Sequence, residues 1–192
     1  MRKTSPALPQ YSTRDVRGKT FTAIREANEK VNRALIGAAL SLGNNIEIVD
    51  IPGYAPLKNA AGMIEVAADA AALALPELPH ARQERYTTGS TDMGDLSTIM
   101  PVIHPYISGA AGKSHGSDYK IVDPDTACMG SALWQLTMIR LLLENGATRA
   151  KKIVEEFVPE FASAKEFLAY QDSMSVDGER IVYTEGGANV IL

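Results

Sequence analysis

A single cysteine, Cys128, and three histidines are all that this chain of 192 residues offers in soft metal-ligand chemistry. One cysteine excludes a disulfide framework and any cysteine-rich zinc motif. There is no His-x-His and no His-Glu-x-x-His, so no short segment supplies the roughly three protein ligands of a catalytic zinc site. Basic excess is missing too: 19 Lys and Arg stand against 23 Asp and Glu, with no block of like charge. A nucleic-acid binder needs a basic stripe, and none is visible. The first fifteen residues carry Arg2 and Lys3 but no apolar segment, unlike a signal peptide. The longest uncharged run, 96–112, is broken by Pro101, His104 and Pro105, unlike a membrane span. These absences point to a soluble, cytoplasmic chain with no membrane partner.

What is present is ordinary globular composition, 45% hydrophobic and 22% charged. From Asp15 a helical pattern runs to Leu42, with Phe21, Ile24, Val31, Leu35, Ala38 and Leu42 on one apolar stripe. Gly43 stops it, and Ile46 to Ile48 alternate as a short strand closed by Pro52-Gly53. One helix and one strand cannot bury a sheet's face and edges, so further strands are expected from elsewhere, and association through this stripe is expected as well.

Asn59 reads as the cap of an alanine-rich helix over 62–75, which stops before Pro76. Residues 87–120 are dense in Gly, Ser, Thr, Asp and His around the apolar stretch 101–107, the texture of a site built at the end of a buried strand. Asp123 and Pro124 open a helix that runs through Leu133, Leu136, Ile139, Arg140 and Leu143 to a stop at Gly146. Helices follow at 148–157 and 163–173, the second opened by the capping box Ser163 and Glu166. The tail 174–192 reads as a hairpin turning at Asp177-Gly178. The expected division is 1–53, 54–173 and 174–192, in an α/β fold.

Several residues are candidates for chemistry. Gly109 to Ser114 resembles a phosphate loop, but Ile107 stands where the first glycine belongs, and turn residues follow where a helix should. Ser90 lacks the flanking glycines of a hydrolase elbow. Ser90 and Thr91 are either caps for a helix over 93–100 or part of a carboxylate site at its start. Asp92 and Asp95, one turn apart, are first-turn dipole partners or a ligand pair. His80 reads as exposed, His104 as a hydrogen-bonded core residue, and Cys128 as a small buried hydrophobe. His115 follows a glycine-rich loop and precedes Gly116, so it can approach an ion or substrate closely; spacing alone leaves it either a ligand or a surface residue.

The run Gly89-Ser-Thr-Asp-Met-Gly-Asp-Leu-Ser97, followed by Pro101-Val-Ile-His-Pro-Tyr106, Gly109 and Gly112-Lys-Ser-His-Gly116, resembles the C-terminal part of M20-type metal-dependent amidohydrolases, the aminobenzoyl-glutamate and N-acyl amino acid hydrolases among them. Arg33 to Gly43 and Asp50 to Leu57 are similar to the end of that family's dimerisation domain and its return to the catalytic domain. The resemblance spans about 12–172. It implies the C-terminal half of a zinc-exopeptidase-like catalytic domain, with 1–53 as the remnant of an α+β dimerisation lobe. It further implies two zinc ions activating a water beside a glutamate base, and hydrolysis of an N-acyl amino acid or peptide-like amide. Carried over by position, His115 is a metal ligand, and Ser90, Thr91, Asp92, Asp95, Gly109 and Gly112 line the substrate side, where a small carboxylate would bind. The remaining ligands and the base, which family members carry in their first half, have no counterpart here. The expectation is therefore a fragment or truncated product, inactive alone, that forms a homo-oligomer or depends on a missing N-terminal half; the rival expectation is a non-catalytic oligomerisation or binding module.

Overall fold

The computed structural model describes residues 12–81 and 89–192. The architecture is mixed α/β with helix predominating, in two compact units: 1–48 with 179–192, and 49–178. The tail thus belongs with the first unit.

In that unit, α1 (Phe21–Ser41) begins later than the periodicity predicts. Thr20 is extended and its hydroxyl accepts the Ala23 N–H at 3.1 Å, fixing the start. Gly43, at φ 67°, ends the helix. The Asn44 N–H reaches the Ala39 carbonyl and the Gly43 N–H that of Leu40, the paired bonds of a Schellman close. Ile36, outside the predicted stripe, is the residue buried near the helix end, against Ile48 of β1 (Glu47–Asp50) and Ile181. Leu35, Ala38 and Leu42 of the stripe are exposed. The reason lies in the tail. Strands β5 (Ile181–Thr184) and β6 (Gly187–Val190) form an antiparallel hairpin that supplies Ile181 and Ala188 to this core. The strands the sequence lacked before residue 13 come from the far end of the chain. Its turn lies at 185–186, not at Asp177-Gly178; Gly178 sits inside β4 (Val176–Glu179), the strand paired with β1.

The second unit is organised on two helices, α2 (Ala61–Ala74) and α4 (Ser131–Glu156). Val66, Ala67 and Ala70 pack on Met138 and Leu141, with Trp134 and Ile103 at the margin. Small residues let the helices approach closely: a Cβ on Gly62 would lie 2.6 Å from Ile153. The Trp134 indole N–H donates to the Ala67 carbonyl at 2.8 Å. Asn59 does not cap α2; its Oδ1 accepts the His104 N–H at 3.0 Å. The long helix α4 is entered through a π-helical turn, Asp125–Gly130, and is interrupted where Asn145, Gly146 and Ala147 adopt left-handed φ values. That break matches the predicted stop at Gly146 and restart at Thr148. The predicted face does not match. Leu133, Leu136, Ile139 and Leu143 are exposed, whereas Met138 and Leu141, on the opposite side, are buried. By length and composition, 125–156 is also a helical run apolar enough to cross a membrane, a feature the search for uncharged runs missed.

The predicted capping box of α5 (Ala164–Ser173) is present: Ser163 Oγ accepts the Glu166 N–H, and the Glu166 carboxylate accepts the Ala162 N–H. The stretch 101–107 is extended, and Val102 is buried, but it forms no strand. Pro101 and Pro105 have no N–H to give a ladder.

Candidate functional site

The predicted site residues fall in two places. The first is α3 (Met93–Ser97), a single helical turn. It is shorter than the expected 93–100, and neither Ser90 nor Thr91 caps it. Asp92 is the cap residue, without a side-chain cap bond, and its carboxylate accepts the Thr91 hydroxyl at 2.9 Å. Ser90 is exposed. Asp95 faces inward: its Oδ1 accepts the Ala55 N–H at 2.7 Å. Ser97 accepts the Lys58 N–H at 3.2 Å, and the Thr98 carbonyl accepts the N–H of Glu160 and of Phe161. Gly94 is buried against the Ala55 carbonyl, with no room for a Cβ. This turn clamps segments 55–58 and 160–161, a role that spacing could not reveal because the partners lie 40 and 60 residues away. Of the tract before it, 82–88 lies outside the described residues.

The second place is the loop between β2 (Ala110–Ala111) and β3 (Lys120–Ile121), an antiparallel pair with Ala110 opposite Ile121. Gly109 (φ 110°) and Gly112 (φ 99°) adopt conformations open to glycine. A Cβ at Gly112 would stand 2.4 Å from the Asp118 carbonyl oxygen. The Gly109 carbonyl accepts the Val122 and Asp123 N–H groups, tying the loop to the start of the π-helical turn. There Asp123 Oδ1 accepts the Thr126 N–H at 3.0 Å. Hydrogen bonds from the Thr126 side chain and backbone hold the Asp123 carboxyl below its ordinary range. Within the loop the Lys113 N–H faces both oxygens of Asp118 at 3.3 Å. His115 stands exposed at φ 62°, a strained backbone for a residue with a side chain. Gly109, Gly112 and His115 are therefore brought together in one loop. Among the described residues no hydrogen bond or ion pair joins this loop to α3.

No family model, characterised protein or solved structure matches this chain. Site chemistry therefore rests on the residues themselves. Among the described residues no three of His, Cys, Asp and Glu converge as a metal centre. The residues present do not fit a complete zinc site: one exposed imidazole is a single donor where about three are needed.

The other candidates divide. His80 is exposed, as predicted. Cys128 is exposed rather than buried, because it lies on the side of its turn away from α2. His104 is half-buried with its ring edge-on to Tyr106, and its Nδ1 is buried without a hydrogen-bond partner. The expectation of a hydrogen-bonded core histidine holds for its backbone and fails for its ring.

Proposed function

We propose that this chain is part of an M20-type metal-dependent amidohydrolase acting on an N-acyl amino acid or peptide-like amide. In this reading the chain contributes His115 as one metal donor. Ser90, Thr91, Asp92, Gly109 and Gly112 belong to the substrate side, whereas Asp95 is committed to the fold. What supports it is the motif text of 89–116 together with one observation: the glycine loop of 109–116 presents the His115 imidazole outward on a strained backbone. Strain of that kind, about 1–3 kcal/mol for a non-glycine residue, persists where the surrounding loop imposes it and concentrates at functional positions. The remaining donors and the general base come from outside the described residues, so the chemistry of this chain ends at presenting His115. Without those groups hydrolysis is lost by many powers of ten.

The test is a zinc titration of the whole chain, followed through the imidazole nitrogens by NMR. His115 should shift, with weak affinity, and no N-acyl glutamate should be hydrolysed. Zinc shifting His80 or His104 and not His115 would overturn the assignment. Zinc-dependent turnover by this chain, abolished in His115→Ala, would overturn the claim that its catalytic set is incomplete. The rival reading, a non-catalytic oligomerisation module, is favoured by the apolar outer face of α4.

A further inference from the structure

From the two-sided apolarity of α4 we infer that its outer face pairs with a second copy of this chain, antiparallel, in a reversible homodimer. The inference is independent of the amidohydrolase reading. A folded monomer of 20.6 kDa exposes about 8,900 Å², whereas this chain exposes 14242 Å². Treating the two units as separate globules, and the undescribed residues as fully extended chain, raises that expectation only to about 12,700 Å². A surplus on the order of 1,500 Å² remains, more than one side of a standard protein interface.

The α4 face accounts for the most regular part of it. Leu133 is 49% exposed, Leu136 64%, Ile139 51% and Leu143 62%. Ala132, Leu136, Ile139 and Leu143 follow spacings of four, three and four, the repeat of a helix-pairing seam. A helix apolar on both sides is normally covered on both, and α2 covers only one. Beside the leucine ridge runs a shallow cavity of about 450 Å³, floored by the small or slim side chains Cys128, Ser131, Ala132 and Gln135. Ridge and groove thus lie side by side on one helix, the arrangement a two-fold interface requires because the same patch must fit itself.

The antiparallel register follows from side-chain size and charge. With the axis between Met138 and Thr137, Leu136 lies opposite the partner's Ile139, and small Ala132 opposite the partner's Leu143. The one charge flanking the seam, Arg140, then meets the partner's Gln135 instead of another cation. The helical stretch ends at Leu143, where Glu144 leaves helical geometry, so the seam is about 20 Å long at 1.5 Å per residue. Such a face buries on the order of 600 Å² per copy, the low end for specific association, which makes the dimer micromolar and reversible.

Sedimentation equilibrium of the whole chain tests this across roughly 1–200 μM, the span of a micromolar dissociation constant. Monomer should convert to dimer over that range. Leu136→Glu should weaken association at least 100-fold with an unchanged helical spectrum. Leu136→Ala, which keeps a good helix former at an exposed site, should weaken it about tenfold and guards against misfolding of the first variant. Leu35→Glu on the exposed face of α1 should have no effect. A monomer throughout, or a dimer broken by Leu35→Glu and indifferent to both Leu136 variants, overturns the proposal. So does a chain that remains monomeric and instead co-sediments with phosphatidylcholine–phosphatidylglycerol vesicles through Leu136, which would make this face a membrane surface.

Discussion

Gly94 is the position where a single methyl group should do most damage. A Cβ there would stand 2.0 Å from the Ala55 carbonyl oxygen and 2.9 Å from its carbon, and both are backbone atoms without a rotamer to turn. Segment 55–57 must therefore move by more than 1 Å, a distance set by ordinary van der Waals separation. That movement breaks the 2.7 Å bond from the Ala55 N–H to Asp95 and strains the one from the Lys58 N–H to Ser97. The first is charge-assisted, worth about 1.5–3 kcal/mol, and the second about 1 kcal/mol. Residual overpacking adds about 1–3 kcal/mol, while the better helix propensity of alanine returns about 1 kcal/mol. The net expectation for Gly94→Ala is a loss of about 3 kcal/mol, or roughly 6–12 °C in Tm for a chain of this size. The lone tryptophan, Trp134, sits against α2 in the same unit, so its fluorescence in a urea titration reads the unfolding of that unit directly. Gly37→Ala is the matched control: it lies inside α1 with nothing within 4 Å of the new Cβ. It should stabilise by about 0.5–1 kcal/mol, read by helical circular dichroism. A Gly94→Ala protein as stable as the parent would refute the account of α3 as a clamp.

Two further outcomes follow from the same geometry. Replacing His104 by Phe removes a buried, unpartnered Nδ1 and keeps the backbone bond to Asn59, so stability should rise or hold within about 1 kcal/mol; a loss well beyond that would reveal a partner for the ring. Asp123 is held below its ordinary 3.8 by Thr126, so its bond to that residue is in force above 3.8 and is lost as pH falls through the lowered folded value. A carboxyl NMR titration of Asp123 should therefore show a midpoint below 3.8, with the Thr126 amide moving in step; a midpoint at or above 3.8 contradicts the capping geometry.

Local chemistry was legible in the sequence wherever one or two residues decide the backbone. Gly43 ends α1, Gly146 interrupts α4, and Ser163 with Glu166 opens α5, each through bonds within five residues. Reading failed where the deciding partner is distant. Asn59 looks like a helix cap, but its amide is taken by His104, 45 positions on. Asp95 looks like a ligand or a dipole partner, but it binds Ala55, 40 positions back. The glycines at 109 and 112 were visible as loop formers. Which N–H groups the loop leaves open was not, because that depends on Asp118 turning back onto Lys113.

The two long helices show a different failure, and it bears on function. Periodicity finds an apolar stripe but does not say which of two stripes a neighbour covers. In α1 the residues at 35, 38 and 42 satisfy the helical repeat as well as Ile36 and Ala39 do, yet only the latter meet β1 and the terminal hairpin. In α4 the evident leucine repeat lies outward, while Met138 and Leu141 face α2. Side-chain volume decides the choice: the alanine face of α2 admits a close partner, and the Met138–Leu141 side offers the indole of Trp134 to bond the Ala67 carbonyl. Once that side is used, the conspicuous repeat is left to solvent. A stripe that satisfies helical periodicity and yet packs on nothing within its own unit is better read as an interface than as a core.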